Sequence, residues 1–306
     1  MVENLGLKEK IEDLASVSEP VYPLKYGERL FRSSAFATLC PREEVLAALG
    51  NVIRKNKNDS SAMFNLALGT GVHQAFQSEM LPRLGLLLGS WKCENSCEFH
   101  QKDGKFSYTH AWQTRTVVDT INVNLGPGPE EPNLIVELSL KPEKCVLCGG
   151  SVFQYTEQFF KNKAFGITAH PDGFIKNPWV QNPTDDDIGV LELKTIGKTG
   201  SKEVKNAPKF EHIIQVQIYM WLTGLKWAVI LYWDKSIYGT DGLIEHKIER
   251  DEDSIEAIKK TIAEVWMGIE TGVLPARICS TETCSRASDC SLAKQCFKLD
   301  DQYEPN

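Results

Sequence analysis

The sequence predicts an α/β fold: a mixed β-sheet flanked by helices, with a β-rich insertion over residues 90–150. Three observations carry that expectation. IGVLELKTIGK (188–198) and WAVILYWDKS (227–236) read as strands, the second as a buried apolar run. Between them FEHIIQVQIYMWLTG (210–224) reads as a helix stopped by Gly224, a residue that tolerates the left-handed turn closing a helix. Beyond Ser254, Ile255, Ile258, Ile262, Val265 and Ile269 recur at helical spacing.

The remaining elements follow in chain order. A helix is expected over 3–15, and a second one, capped by Ser33 or Ser34, ends near Gly50. A third helical region covers 60–84 and contains ALGTGVHQAFQSEML. LGSWKCENSCEF then opens a stretch of strand character, punctuated by the turn KDGK and by GPGPEEPN. After CVLCGG, two strands flank KNKA and lead to FGITAHPDGFI. A loop rich in Asp, Asn and Pro precedes the strand at 188, and a lysine-rich loop follows it. No repeat or low-complexity tract interrupts the order.

Composition narrows the function classes. The chain has 306 residues and a net charge of −7, so it carries no global polycationic signature. The polar start MVENLGLKEK does not resemble a signal peptide, and the longest apolar runs are too short to span a bilayer. The expectation is a soluble, cytoplasmic protein with no membrane partner. Nine cysteines in a reducing compartment read better as metal ligands than as disulfides.

The strand at 188–198 poses a chemical question. With side chains alternating between faces, Val190, Glu192 and Lys194 share one side. The Cα atoms of Glu192 and Lys194 then lie roughly 6.5–7 Å apart. Burying either charge alone is expensive, whereas a divalent cation binds carboxylate oxygens directly. Twenty residues earlier Asp172, in HPDG, ends a strand-like segment. Two carboxylates at the ends of adjacent strands can hold Mg²⁺ or Mn²⁺, which acidifies bound water and stabilises the phosphoryl transition state. Lys194 could orient the attacking water or hold a phosphate oxygen. On the following helix Gln215 and Tyr219 stand at i and i+4, hence on one face. Upstream, His73 follows a Gly-Thr-Gly break.

Taken in order, Gly-x-x-x-His (69–73), Asp172, Glu192-x-Lys194 and Gln215-x-x-x-Tyr219 resemble the motif set of RecB-like nucleases of the PD-(D/E)XK superfamily. The resemblance implies a restriction-endonuclease-like fold and a single nuclease domain over 1–306. It implies that His73, Asp172, Glu192 and Leu193 hold Mg²⁺ or Mn²⁺. It makes Asp172, Glu192, Lys194, Gln215 and Tyr219 the catalytic set, with Gln215 and Tyr219 supporting the site and contacting the substrate strand. The implied activity is metal-dependent hydrolysis of DNA phosphodiester bonds as an exonuclease, in recombination, repair or end processing. DNA, single-stranded or with a free end, is the implied partner, along with replication or recombination proteins.

The cysteines fall into groups. Cys93-x₃-Cys97 and Cys145-x₂-Cys148 look like two zinc knuckles, and the Gly-Gly after Cys148 lets backbone amides turn toward thiolates. This makes residues 90–150 an inserted zinc ribbon with structural Zn²⁺. Four more cysteines crowd residues 279–296, a polar segment unsuited to bury them as core. With Cys40 in SSAFATLCPREEVL, they resemble the iron–sulfur branch of the RecB-like nucleases, which includes CRISPR-associated, AddB-type and phage exonucleases. There a [4Fe–4S] cluster ties the ends of the domain together. The resemblance implies ligation by Cys40, Cys284, Cys290 and Cys296 over the segment 276–300. An alternative set is Cys40, Cys279, Cys284 and Cys290, because the gaps of four and five residues depart from the usual two.

In KTIGKTGSKEVKNAPK, lysines beyond Lys194 line a path for a phosphate backbone. Lys198 and Lys202, with Lys235 in YWDKS, are the candidate DNA contacts. Two rival readings remain at this stage. One is a non-catalytic DNA-end-binding or adaptor protein on the same fold. The other is a cysteine-cluster redox or transcription-type module that would not need the carboxylates.

Overall fold

The computed structural model describes residues 31–50, 60–95, 121–125, 134–145, 148–178, 180 and 187–300. The helix expected over 3–15, the KDGK turn, GPGPEEPN and Cys97 lie outside the described residues. The chain divides into two compact units, one of Phe31–Ala37 with Gly69–Ile255, the other of Thr38–Leu68 with the chain from Glu256.

The first unit contains the strands β1 (Phe31–Arg32), β2 (Leu87–Leu88), β3 (Ser90–Cys93), β4 (Ile121–Leu125), β5 (Leu134–Leu138), β6 (Phe153–Thr156), β7 (Phe160–Asn162), β8 (Ile167–Ala169), β9 (Gly173–Lys176), β10 (Ile188–Ile196), β11 (Trp227–Asp234) and β12 (Leu243–Glu249). Five of them form a mixed sheet in the order β12-β11-β10-β9-β2. β10 runs parallel to β11 and antiparallel to β9. A smaller sheet has the order β1-β8-β7, and β3 pairs with β6 and β4 with β5 as antiparallel ribbons.

The central strand explains its own sequence. Ile188–Leu193 are buried on both faces, so apolar residues occupy both parities and the alternation is carried only by Glu192 and Lys194. Gly189 is required by packing, since a Cβ there would sit 2.3 Å from the Trp227 ring.

The helices are α1 (Ser33–Phe36), α2 (Pro41–Gly50), α3 (Ser60–Ala75), α4 (Leu81–Arg83), α5 (Lys198–Val204), α6 (Phe210–Thr223), α7 (Glu252–Thr271), α8 (Ser285–Asp289) and α9 (Ala293–Asp300). α5 and α6 pack on β10 and β11, giving the mixed sheet flanked by helices that the sequence predicts. α6 ends as expected: Gly224 adopts φ 74° and its amide donates to the Met220 carbonyl. The isoleucine and valine stripe of α7 is buried at every expected position.

Four local expectations are revised. The single helix expected up to Gly50 is two. Pro41 has no amide hydrogen and pushes Cys40 out of helical geometry, so α1 ends and α2 begins with Pro41 at its first position. Arg32 precedes α1 where a serine cap was expected, and it makes no capping bond. The helix expected over 60–84 contains a π-helical turn, Phe76–Met80. The lysine-rich loop contains α5, which ends at Val204, four residues ahead of Pro208.

In the second unit α2 packs against α9. Among the described residues no helix is long and apolar enough to cross a membrane.

Candidate active site

The site grows from a corner. β8 belongs to the small sheet and β9 to the large one, and His170, Pro171 and Asp172 join them. Pro171 cannot donate to a ladder, so pairing stops there. On the partner strand β10, pairing to β9 ends at Leu191 opposite Gly173. The next free amide on that edge is Leu193, and Asp172 Oδ2 accepts it at 2.6 Å. Asp172 is therefore fixed by the end of the ladder itself. Its other oxygen, Oδ1, lies 3.0 Å from His73 Nδ1 on α3.

Glu192 projects from β10 in the same region, 2 % exposed. Its Oε1 pairs with Lys194 Nζ at 2.5 Å, which accounts for the two charges sharing one strand face. Its Oε2 is buried and accepts no hydrogen bond. The Tyr219 hydroxyl lies close by, but its single proton goes to the His170 carbonyl at 3.0 Å. Burial first, then the charge of Asp172, push the Glu192 carboxyl up to about 8, against the opposing pull of Lys194. A buried carboxylate oxygen with no donor is costly unless a cation satisfies it.

Gln215 and Tyr219 on α6 are both buried, and Gln215 Nε2 donates to the Tyr219 hydroxyl at 2.5 Å. Tyr219 in turn holds His170, the residue at the corner. The pair therefore buttresses the turn that presents Asp172. Burial raises the Tyr219 phenol well above its ordinary value, and Glu192 and Asp172 raise it further. For His73, burial favours the neutral ring. The Asp172 hydrogen bond and charge outweigh it, so the imidazole pKa is raised. Leu193 has only backbone atoms to offer a cation; its amide serves Asp172, which leaves its carbonyl.

Two residues here escape sequence reasoning. Glu157, just after β6, joins His73 and Asp172 in a group whose ligand atoms lie within 4.8 Å of one another. Gln77, buried in the π-helical turn, donates from Nε2 to Glu157 Oε1 at 2.9 Å and to the Asp172 carbonyl at 2.7 Å. Gln77 stands at i+4 from His73, a signal that GVHQAFQ did contain. Glu157 has no such signal, because only the folded register brings it near.

The candidate DNA lysines occupy the far ends of the central strands. Lys198 and Lys202 are exposed on α5, and the Lys235 amide donates to the Ile196 carbonyl at 3.0 Å. Lys209 instead pairs with Glu203. With Lys194, Lys209 acts after burial to hold the His212 ring down to about 4.

The thiols form two separate candidate metal groups. Cys93, Cys145 and Cys148 bring their sulfurs within 4.8 Å, with Cys93 Sγ 3.7 Å from Cys148 Sγ. Gly149 at φ 72° turns the knuckle, the Gly150 amide points at Cys148 Sγ at 3.4 Å, and Asn95 Nδ2 donates to the same sulfur. In the second unit a cavity is lined by Cys40, Cys279, Cys290 and Cys296 with Leu46 and Leu292. Backbone amides, led by that of Ala287, lower the Cys284 thiol. Burial first, then hydrogen bonding to Cys284 and the charges of Cys284 and Cys40, push Cys279 up to about 11. Burial, with Glu43 and Cys40, raises Cys290. Cys296 Sγ accepts from Arg42 Nε at 3.2 Å.

No protein-family model matches the chain, and no curated protein sequence matches it. Solved structures align with it over most of its length. An alkaline exonuclease (LHK-Exo) from Laribacter hongkongensis is 15% identical over 95% of this chain and 99% of its own, with a TM-score of 0.42. SSO0001 is 16% identical over 85% of this chain and 83% of its own, with a TM-score of 0.36. A phage-related exonuclease from Haemophilus somnus 129PT is 13% identical over 79% and 93%, with a TM-score of 0.29. The chain is similar to these proteins at low identity and loose superposition.

Proposed function

We propose that the protein is a divalent-cation-dependent nuclease that hydrolyses phosphodiester bonds of DNA, acting from ends as an exonuclease. The observation that carries this reading is Glu192 Oε2: a buried carboxylate oxygen with no donor, close to a second carboxylate and an imidazole. The donor set fits Mg²⁺ or Mn²⁺, since carboxylates with a backbone carbonyl are hard oxygen ligands. Asp172, Glu192 and the Leu193 carbonyl would hold the ion, with His73 beside them. Bound there, the ion would supply charge stabilisation for the phosphoryl group and a lowered pKa for water.

The chain's own residues do the rest. Lys194, held against Glu192 and a quarter exposed, presents its ammonium where it can donate to a phosphate oxygen or to the attacking water. As the water oxygen bonds to phosphorus and gives up a proton to solvent, the bond from phosphorus to the leaving ester oxygen breaks and that oxygen takes a proton from solvent. Gln215 and Tyr219 keep His170 and hence Asp172 in place. Lys198 and Lys202, exposed on α5, and the half-buried Lys235 would bind the phosphate backbone.

The cysteines complete the reading. Cys93, Cys145 and Cys148, with Cys97, would hold a structural Zn²⁺ in the inserted ribbon of residues 90–150; the amide and Asn95 donors around Cys148 suit a thiolate. A [4Fe–4S] cluster would join Cys40 to the segment 276–300. Cys40, Cys279, Cys290 and Cys296 line one cavity, and Cys284 is hydrogen-bonded to Cys279, so Cys40, Cys290 and Cys296 with either Cys284 or Cys279 would be the ligands.

The test is digestion of end-labelled single- and double-stranded DNA with Mg²⁺ or Mn²⁺. Wild type should release nucleotides from an open end. Glu192→Ala and Lys194→Ala should each lose at least ~10²-fold in rate, the scale of removing one group that stabilises developing charge. Cleavage that persists unchanged in Glu192→Ala or in EDTA would overturn the proposal.

A further inference from the structure

We infer that Glu157, positioned by Gln77, is a further cation ligand of this site, forming with His73 and Asp172 a binding position distinct from the Asp172–Glu192 position. The inference rests on the nuclease reading and deepens it.

The geometry separates the two positions. The ligand atoms of His73, Glu157 and Asp172 lie within 4.8 Å of one another. Asp172 is common to both positions because its two oxygens point to different neighbours, Oδ1 to His73 and Oδ2 to the Leu193 amide. A single side chain, Gln77, binds both Glu157 Oε1 and the Asp172 backbone. It is 6 % exposed, so it locks an exposed carboxylate to the buried corner. A solvated glutamate has no physical need of such a brace. Holding it beside a second carboxylate costs repulsion unless a positive charge lies between them.

A second observation points to the same ligand. The buried Tyr155 hydroxyl in this neighbourhood has no hydrogen-bond partner. Tyr155 lies on β6, two residues before Glu157, and feels the charges of both Asp172 and Glu157. A hydrated cation held by those carboxylates would bring water within reach of that phenol.

Mn²⁺ titration of the full chain, with its zinc and iron retained and free Mn²⁺ followed by electron paramagnetic resonance, reads binding without DNA. Wild type should bind two ions. Glu157→Gln should weaken one of them at least tenfold and leave the other unchanged, and Gln77→Ala should weaken the same ion by a smaller factor. Glu157→Asp should recover part of the loss. In DNA cleavage, Glu157→Gln should raise the Mg²⁺ concentration for half-maximal rate by a similar factor. If Glu157→Gln titrates as wild type while Glu192→Gln loses an ion, this inference is overturned and the nuclease reading stands. If wild type and Glu192→Gln both bind no ion, the nuclease reading fails and this inference falls with it.

Discussion

Replacing Glu192 with glutamine should make the metal-free protein more stable while abolishing cleavage. The side chain is almost fully buried, one of its oxygens has no donor, and Asp172 adds like charge. A carboxyl held at about 8 in the folded chain, against 4.5 as the ordinary value, is stabilising below pH 4.5 and loses that stability as pH rises through 8. At ~1.36 kcal/mol per pH unit the gap corresponds to about 5 kcal/mol at most. Lys194, partly solvated, offsets part of the cost of the charged carboxylate, so we expect a net gain of about 2 kcal/mol in the neutral variant at pH 8. The assay is urea unfolding in EDTA at pH 5 and pH 8. Wild type should lose stability between them, and Glu192→Gln should lose less and lie above wild type at pH 8. Adding Mg²⁺ should raise the midpoint of wild type more than that of the variant, which keeps only the position at His73, Glu157 and Asp172. A variant less stable than wild type at pH 8 in EDTA would refute the claim that the buried carboxylate is kept for its ligand.

Three further outcomes follow from the geometry. His212 is held neutral down to about pH 4, against 6.5 unfolded, so its contribution to stability is present above pH 6.5 and lost as pH falls through 4; His212→Gln should flatten the wild-type decline over that window in thermal melts at stepped pH. Gly189→Ala drives a Cβ to 2.3 Å from the Trp227 ring and should cost about 3 kcal/mol of overpacking, with partial recovery in Gly189→Ala/Trp227→Leu by denaturant unfolding. Cys93→Ser should abolish bound zinc in elemental analysis and leave iron content unchanged, because the two thiol groups lie in separate units.

Sequence made the core of this site legible wherever one element alone fixed the relation. Glu192 and Lys194 share a strand face by the period of two, and Gln215 and Tyr219 share a helix face by the spacing of four; both pairs touch. The corner at Asp172 was marked by its proline. Glu157 was hidden because its partners, Gln77 and Asp172, come from a different helix and a different strand, and no local periodicity spans that distance. α5 was hidden for another reason: five lysines with two glycines read as solvated loop, although Val204 is buried beneath them. Spacing also left the choice among the C-terminal cysteines open. Which sulfur turns to Arg42 depends on how α9 lies on α2, a tertiary fact.

The parallel alignment of β10 with β11 has a consequence for synthesis on the ribosome. Parallel neighbours must be joined by a long crossover, here residues 197–226. Asp172 and Glu192 therefore leave the exit tunnel well before the strand that seals the inner edge of their sheet. A half-made chain exposes the acidic pair without α6 to brace the corner. The candidate site is therefore completed late in translation.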